Sequence, residues 1–407
     1  MNLIKIGDLI ESGEASLQTG PFGTQLKASE YVNEGVPVIN VRNIGYGSVI
    51  DEKLEYVNNK TAERLKIHVL RQNDIVFGRK GAVDRHALID HKANGWIQGS
   101  DCLRLRLKAP DIKNKFVSYY FCTQAHKEWM EAQGSFGATM SSLNQDIIKR
   151  ISLPQTSLTI QKKIAAILST YDDLIENNKR RIDILEKIAE EIFNEWFVRL
   201  RFPGHGQEKI IKGIPIGWPI KKVIEIINRH GFGRIYREKE LAQTGQIVVI
   251  DQSEKKALGY YNGEPEHRAS LRIPIILFGD HSCKMQIMTN PFSLAENVIP
   301  FRAKDGLSTI FLYYLTKNLI KTTEDKRHWT EFIHKEIILP PIKLQNEFSK
   351  IAMYHIQLGE MLESVNDNLQ YSRNLLLLRL LSGKLSVEDL DIQFPKSMED
   401  DYAEFHQ

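Results

Sequence analysis

Two stretches of the chain carry apolar residues at the three-and-four spacing of a helix with one buried stripe. The first begins after Leu153-Pro154, where Ser157 or Thr159 can cap a helix. From there a heptad reading puts Ile164, Ile167, Tyr171, Leu174, Asn178, Arg181, Leu185, Ile188, Ile192 and Glu195 on one seam, ending near Phe197, before Pro203-Gly204. The second begins after Leu339-Pro340-Pro341, and its seam lies 184 residues later: Phe348, Ile351, His355, Leu358, Leu362, Val365, Leu369, Ser372, Leu376 and Arg379. The same offset carries Gln161 onto Gln345, and Ser382-Gly383 offers a C-terminal stop. The chain repeats itself once.

The remaining two segments have a different texture, with short β-type runs between glycine-rich turns. In the first, Val36–Val41, Asp74–Phe77 and Asp101–Leu107 read as strands and Lys115–Met130 as a helix. In the second, Gln246–Ile250, Ile273–Phe278 and Asn297–Phe301 read as strands and Ser308–Lys321 as a helix. The matching order predicts one α+β fold used twice. The predicted organisation is a globular domain over 1–159, a helical region over 160–197, a second globular domain over 198–343, a second helical region over 344–382, and a mobile acidic tail over 383–407. Connectivity sets the direction of the helices. The first leaves one globule for the other and the second starts from that other, so seams that bury each other must run antiparallel with pseudo-two-fold symmetry. About 38 residues at 1.5 Å each give a rod of roughly 57 Å. Asn178 in the seam would fix register at some cost in stability.

Charge sharpens this picture only when divided along the chain. The total of +3 resolves into +3 for the first globule, −2 for its helix, +8 for the second globule, −1 for its helix and −5 for the tail. Positive charge sits on the globules, where a polyanion could bind. Three isolated cysteines, Cys102, Cys122 and Cys283, argue against a disulfide framework or a structural zinc and suit a reducing cytoplasm. The opening residues are too acidic for a signal peptide, and the apolar run Leu375–Leu378 is too short to cross a bilayer.

Residue types suited to base edges and phosphates gather in the turns. The first globule offers Gln25 and Lys27, Arg42 and Asn43, Arg79 and Lys80, Arg85, and Thr139 in a Gly- and hydroxyl-rich loop over 134–144. The second offers Arg234 and Arg237, Gln252, His281 and Lys284, and Arg327, His328 and Trp329. Arg and Lys pair with guanine and Asn and Gln with adenine, and all of them also bind phosphate. Catalytic signals are absent. Asn290-Pro291-Phe292-Ser293 lacks the second proline of an adenine-methyltransferase motif, and Gly231-Phe232-Gly233 has no companion motif for a cofactor loop. Glu254-Lys255-Lys256 and Glu324-Asp325-Lys326 are nuclease-like tripeptides of a kind that chance supplies. No phosphate-binding Gly-x-x-x-x-Gly-Lys or zinc-binding His-Glu-x-x-His is present.

Globule, helix, globule, helix resembles the specificity subunits of type I restriction-modification enzymes. Arg180–Glu186 (RRIDILE) and Glu195–Gly204 (EWFVRLRFPG) are similar to the end of that family's central helical region, and Ile214–Trp218 (IPIGW) to the start of its second recognition domain. Leu153-Pro154…Gln161 and Leu339-Pro340-Pro341…Gln345 resemble its two helix starts, Leu380–Lys384 its usual close, and Gly20–Lys27 (GPFGTQLK) the opening loop of many first recognition domains. One departure is that Pro340 precedes Gln345 by five residues whereas Pro154 precedes Gln161 by seven. The resemblance implies a chain without catalysis or cofactors of its own. Each recognition domain would read one half of a bipartite, asymmetric double-stranded DNA target, and the helices would set the unread spacer. Two methyltransferase subunits would dock on the helices and methylate adenines with S-adenosylmethionine. Motor-nuclease subunits would add ATP- and Mg2+-dependent restriction of unmodified DNA. Two alternatives stand beside this: the same module in another defence or modification assembly, and a coiled-coil adaptor whose globules bind proteins.

Overall fold

The computed structural model describes residues 2–398 except 24, 135–141, 208, 254, 256, 305 and 323–325. The chain divides into two units: residues 1–176 with 367–407, and residues 177–366. Both mix helices and sheets, so the fold is α+β, as the patterning predicts.

The first unit is built on a four-stranded antiparallel sheet in the order Ala15–Thr19, Cys102–Leu107, Ile75–Gly78, His86–Leu88. The run Cys-Leu-Arg-Leu-Arg-Leu makes the central strand by strict alternation. Leu103, Leu105 and Leu107 enter the main core with Phe77, Phe116 and Phe121. The intervening arginines face the other side, where each finds acceptors. Arg104 Nη1 donates to the carbonyls of Ile67 and Val69 at 3.0 and 3.1 Å, and Arg106 makes two 2.7 Å bonds to the Asp74 carboxylate. A second sheet runs Tyr31–Val32, Glu55–Val57, Val36–Ile39, Ile97–Gln98, its last pair parallel with Val38 opposite Ile97. Asn2–Lys5 pairs antiparallel with Ser152–Gln155 and ties the start of the chain to the approach to the first long helix.

The second unit repeats this plan. Its four-stranded sheet runs Ile227–Arg229, Val298–Ala303, Ile275–Gly279, Met285–Met288, and its smaller sheet runs Gly259–Tyr261, Ile247–Ile250, Phe292–Leu294, again with a parallel last pair. Ile220–Lys222 pairs with Glu336–Ile338 as the first and last strands do in the other unit. Individual backbone bonds recur. Arg79 N donates to Asp101 O at 2.7 Å and Asp280 N to Asn297 O at 2.9 Å; Gly99 N donates to Ile39 O and Ala295 N to Ile250 O, both at 2.9 Å. One fold is used twice.

The long helices span Leu158–Phe193, followed by a π-helical turn over Asn194–Val198, and Ile342–Leu381. In the first unit Ile164, Ala165 and Leu168 share a core with Leu377, Leu380 and Leu381. In the second, Ala189 and Phe193 share one with Phe348 and Ala352. The start of each helix lies beside the end of the other, so they pair antiparallel. Asn178 Nδ2 donates to Asn366 Oδ1 at 2.9 Å within this pairing.

Three expectations need correction. The seam is not the strict heptad set: Ala189 and Phe193 are buried where Ile188 is exposed, and Leu377 and Leu380 are buried where Arg379 is exposed. A straight helix drifts about 20° per heptad from a 3.5-residue repeat, and here each helix end also packs against its own unit, which moves the buried arc. The single helix expected over 115–130 is two, Asn114–Phe121 and Gln124–Gly134, because Thr123 Oγ1 donates to Tyr120 O at 2.7 Å and accepts from His126 N at 3.4 Å. The acidic segment after Gly383 is not a free tail as far as it is described. Val387 and Met398 are buried in the first unit's core with Ile392 and Phe394 against it, and Lys163 Nζ donates to the carbonyls of Val387 and Glu388 at 3.2 and 2.6 Å.

Candidate nucleic-acid interface

In the first unit four loops meet where the strand Ile75–Gly78 ends. Arg79 follows that strand; its N–H is bonded to Asp101 O, and its carbonyl accepts from Leu143 N at 2.8 Å, which brings in the end of the 134–144 loop. Its guanidinium lies 5.8 Å from the Phe22 ring, and Lys80 pairs with Asp101 at 3.1 Å. Close approach here demands glycine: a Cβ on Gly20 would sit 1.9 Å from Gly99 O. Gln25 and Lys27 are exposed on the same loop. The Gln25 side chain accepts from Phe22 N at 3.3 Å and Lys27 N donates to Glu30 at 2.9 Å, so the loop folds on itself while the Lys27 ammonium stays outside. The backbone N–H of Lys27, with the Arg64 guanidinium nearby, holds the Glu30 carboxyl below the usual range.

A second cluster surrounds Tyr46, which sequence reasoning overlooked although it stands between Gly45 and Gly47. Its exposed ring carries Lys127 Nζ at 3.9 Å and the Arg85 guanidinium at 5.4 Å, and its hydroxyl donates to Asp84 at 2.6 Å. Burial and the Asp84 carboxylate raise the Tyr46 hydroxyl above its ordinary pKa. Arg42 is exposed and paired with Glu55 at 2.8 Å, a surface bridge that a phosphate could replace. Thr139 lies outside the described residues.

The second unit brings together Gln252, His281 and Lys284 around Gly279. Gln252 Oε1 accepts from His281 N at 3.0 Å. Asp280 takes the place that Arg79 has in the first unit, and its carboxylate accepts from Trp329 N at 2.9 Å, with the largely exposed Arg327 guanidinium at 3.8 Å. Separately, Arg234 lies 4.7 Å from the Tyr236 ring and pairs with Glu240 at 2.7 Å, while Arg237 is exposed beside it.

Four candidates have structural tasks instead. Asn43 is fully buried: its Oδ1 accepts from Asn40 N at 3.1 Å and its Nδ2 donates to the carbonyls of Ile50 and Glu52 at 3.0 Å, so no amide edge is left for a base. His328 is 1% exposed and begins a short helix, with its N–H on Asp280. Trp329 packs on Phe278, Phe301 and Phe332 with centroids 5.4 to 5.6 Å apart. The Lys284 ammonium bonds the carbonyls of Ser253 and Lys255 at 2.5 and 2.6 Å.

Burial pushes the Cys102 thiol up to about 12 and the Cys122 thiol up to about 11, which disfavours the thiolate form of both. Phe292 of the methyltransferase-like tetrapeptide is fully buried. Among the described residues no group of three or more His, Cys, Asp or Glu side chains could hold a metal ion, and no helix is long and apolar enough to cross a membrane.

Comparison with known proteins places this arrangement. Residues 1–187 match the family model described as the type I restriction modification DNA specificity domain. The type I restriction enzyme MjaIX specificity subunit of Methanocaldococcus jannaschii is 26% identical over 400 residues, spanning 89% of this chain and 90% of that one. Residues 1–187 thus carry the likeness to the specificity domain, and the chain as a whole is similar to type I specificity subunits along most of its length. Other specificity subunits that it resembles are the MjaVIII specificity subunit of the same organism, 23% identical over 79% of this chain and 81% of that one, and the HindI specificity subunit of Haemophilus influenzae, 24% identical over 39% of this chain and 36% of that one. The fold matches the crystal structure of the type I restriction-modification S subunit from M. genitalium, with a TM-score of 0.54, 16% identity and coverage of 93% of this chain and 95% of that one.

Proposed function

We propose that the chain is the DNA-reading subunit of a type I restriction-modification complex, with one recognition domain per half of a bipartite target and no catalysis of its own. One observation carries this reading. The same fold occurs twice, and at the same loop, after the same strand, one copy presents Arg79 and the other Asp280 beside Arg327. Equal scaffolds with unequal side chains are what two different half-sites require, because phosphate contacts position a protein while base-edge contacts specify sequence. The recognition domains are 1–159 and 198–343, and the helical regions 160–197 and 344–382 set the spacer between half-sites. Two methyltransferase subunits dock on the helices and motor-nuclease subunits join them. S-adenosylmethionine, ATP and Mg2+ belong to those partners, and the chain works in the cytoplasm.

Methylation mapping of DNA from cells carrying the complete system would give two methylated half-sites at a constant spacing. With that target, Arg79→Ala and Arg327→Ala each weaken binding by roughly 5- to 100-fold without changing the unfolding temperature, and Arg79→Ala reduces the slope of log K against log salt by about 1. Unchanged affinity in both variants would remove these loops from the reading surface. A chain whose binding ignores ionic strength would instead be a protein-binding adaptor.

A further inference from the structure

Two phenylalanines break the pattern of their type. Phe22 is 58% and Phe232 38% exposed, whereas Phe77, Phe116, Phe121, Phe278, Phe292, Phe301, Phe311, Phe332 and Phe348 are fully buried. Both stand in a glycine-bounded loop, Gly20-Pro21-Phe22-Gly23 and Gly231-Phe232-Gly233. Both loops leave the same edge strand of the four-stranded sheet, and each ring comes three residues after that strand ends, at Thr19 and at Arg229. Each ring also has a guanidinium against it, Arg79 at 5.8 Å and Arg229 at 4.9 Å. The Trp329 ring lies 5.9 Å from the same Arg229 guanidinium. The loop shapes are enforced: a Cβ on Gly20 would collide with Gly99 O, and Gly233 has φ +67° with the Glu266 side chain 2.7 Å from where a Cβ would be.

Neither ring enters a hydrophobic core. An apolar face next to a fixed positive charge suits a ligand that is apolar inside and anionic outside, which describes a DNA groove. Phenylalanine meets duplex DNA either at a thymine methyl group or by pressing between bases that it unstacks. The bound guanidinium keeps a cation at the ring by cation–π attraction, close enough to serve the neighbouring phosphate.

We propose that Phe22 and Phe232 are paired apolar base contacts, one for each half of the DNA target, each backed by its own arginine. This rests on the DNA-reading function proposed above. The full chain in its assembly is titrated with a duplex carrying the mapped target and with a scrambled duplex. Phe22→Ala weakens target binding about 10-fold and relaxes discrimination in one half-site only, and Phe232→Ala does so in the other half-site only. Binding to the scrambled duplex and the salt slope stay as in the unsubstituted chain, because an apolar contact displaces no counterions. Replacing thymine by uracil in the half-site reproduces the loss if the contact is a methyl group. A 2-aminopurine fluorescence rise that vanishes in the variant marks an unstacked base. Alanine variants that keep target affinity within twofold and preserve discrimination in both halves would overturn the proposal. An unsubstituted chain that treats target and scrambled duplex alike would overturn the DNA-reading function itself.

Discussion

Asn43 and Arg42 are sequence neighbours with opposite fates. Arg42 is exposed with its charge at the surface, while the Asn43 amide closes the loop from Asn40 to Glu52 with three hydrogen bonds. Asn43→Ala would strand a backbone N–H and two carbonyls in a buried place, at a cost of about 2 to 3 kcal/mol. Urea unfolding should show that loss, with the salt dependence of DNA binding unchanged; an equally stable variant would return Asn43 to the reading surface. His86 and His126 define a second consequence at this scale. Burial holds His86 down to about 3 and His126 down to about 4, and the His86 Nε2 already faces Ser118 Oγ at 2.9 Å. With both folded values below the ordinary 6.5, the unfolded chain binds more protons on the acid side. Stability is therefore complete above about pH 6.5 and falls as the pH drops through 6 toward 4, by roughly 2 kcal/mol per histidine at pH 5. Unfolding curves for the full chain at pH 7 and pH 5 measure this, and superimposable curves would contradict it.

Elements were the most legible scale. Each strand named from alternation or from a short apolar run exists within a few residues: Val36–Ile39, Ile75–Gly78 and Cys102–Leu107 in one unit, Ile247–Ile250, Ile275–Gly279 and Val298–Ala303 in the other. Both long helices start within two residues of the expected boundary. Periodicity is a local property, so it survives without knowledge of partners. What it could not supply is which neighbouring position faces inward over five or more turns. Ala189 and Ala352 are fully buried because small side chains let the helices approach, and a scan for large apolar residues passes over them. The break at Thr123 was equally hidden, since a threonine is compatible with either a helix interior or a cap until its hydroxyl chooses a partner.

At the scale of the whole molecule the two units are not consecutive segments. The first unit takes its sheets from the start of the chain but completes its core with Leu377, Leu380, Leu381, Val387 and Met398 from the other end. A chain ending at Asn366 should therefore lose the cooperative unfolding and amide protection of the first unit although residues 1–176 are intact. The second unit, residues 177–366, should keep its own. Undiminished amide protection across Ile75–Gly78 and Cys102–Leu107 in that truncated chain would refute this interleaving. The Tyr119 hydroxyl adds a polar tie of the same kind, donating to Asp172 at 2.6 Å while Arg373 pairs with the other oxygen of that carboxylate.

The sequence by itself determined the repeat, the alternation of globules with long helices, the family likeness, and the concentration of basic and amide residues in turns. These are carried by local periodicity, composition and short motifs, each readable within a few tens of residues. Only the tertiary structure decided which of those polar residues are available to a ligand. Burial and hydrogen bonding depend on partners far away in the chain: Asp280 claims the N–H of His328, Phe278 covers Trp329, and the Ser253 and Lys255 carbonyls hold Lys284. The same long-range packing drew the stretch from Val387 to Met398 onto the first unit, because its few apolar residues found a core there that local composition does not reveal.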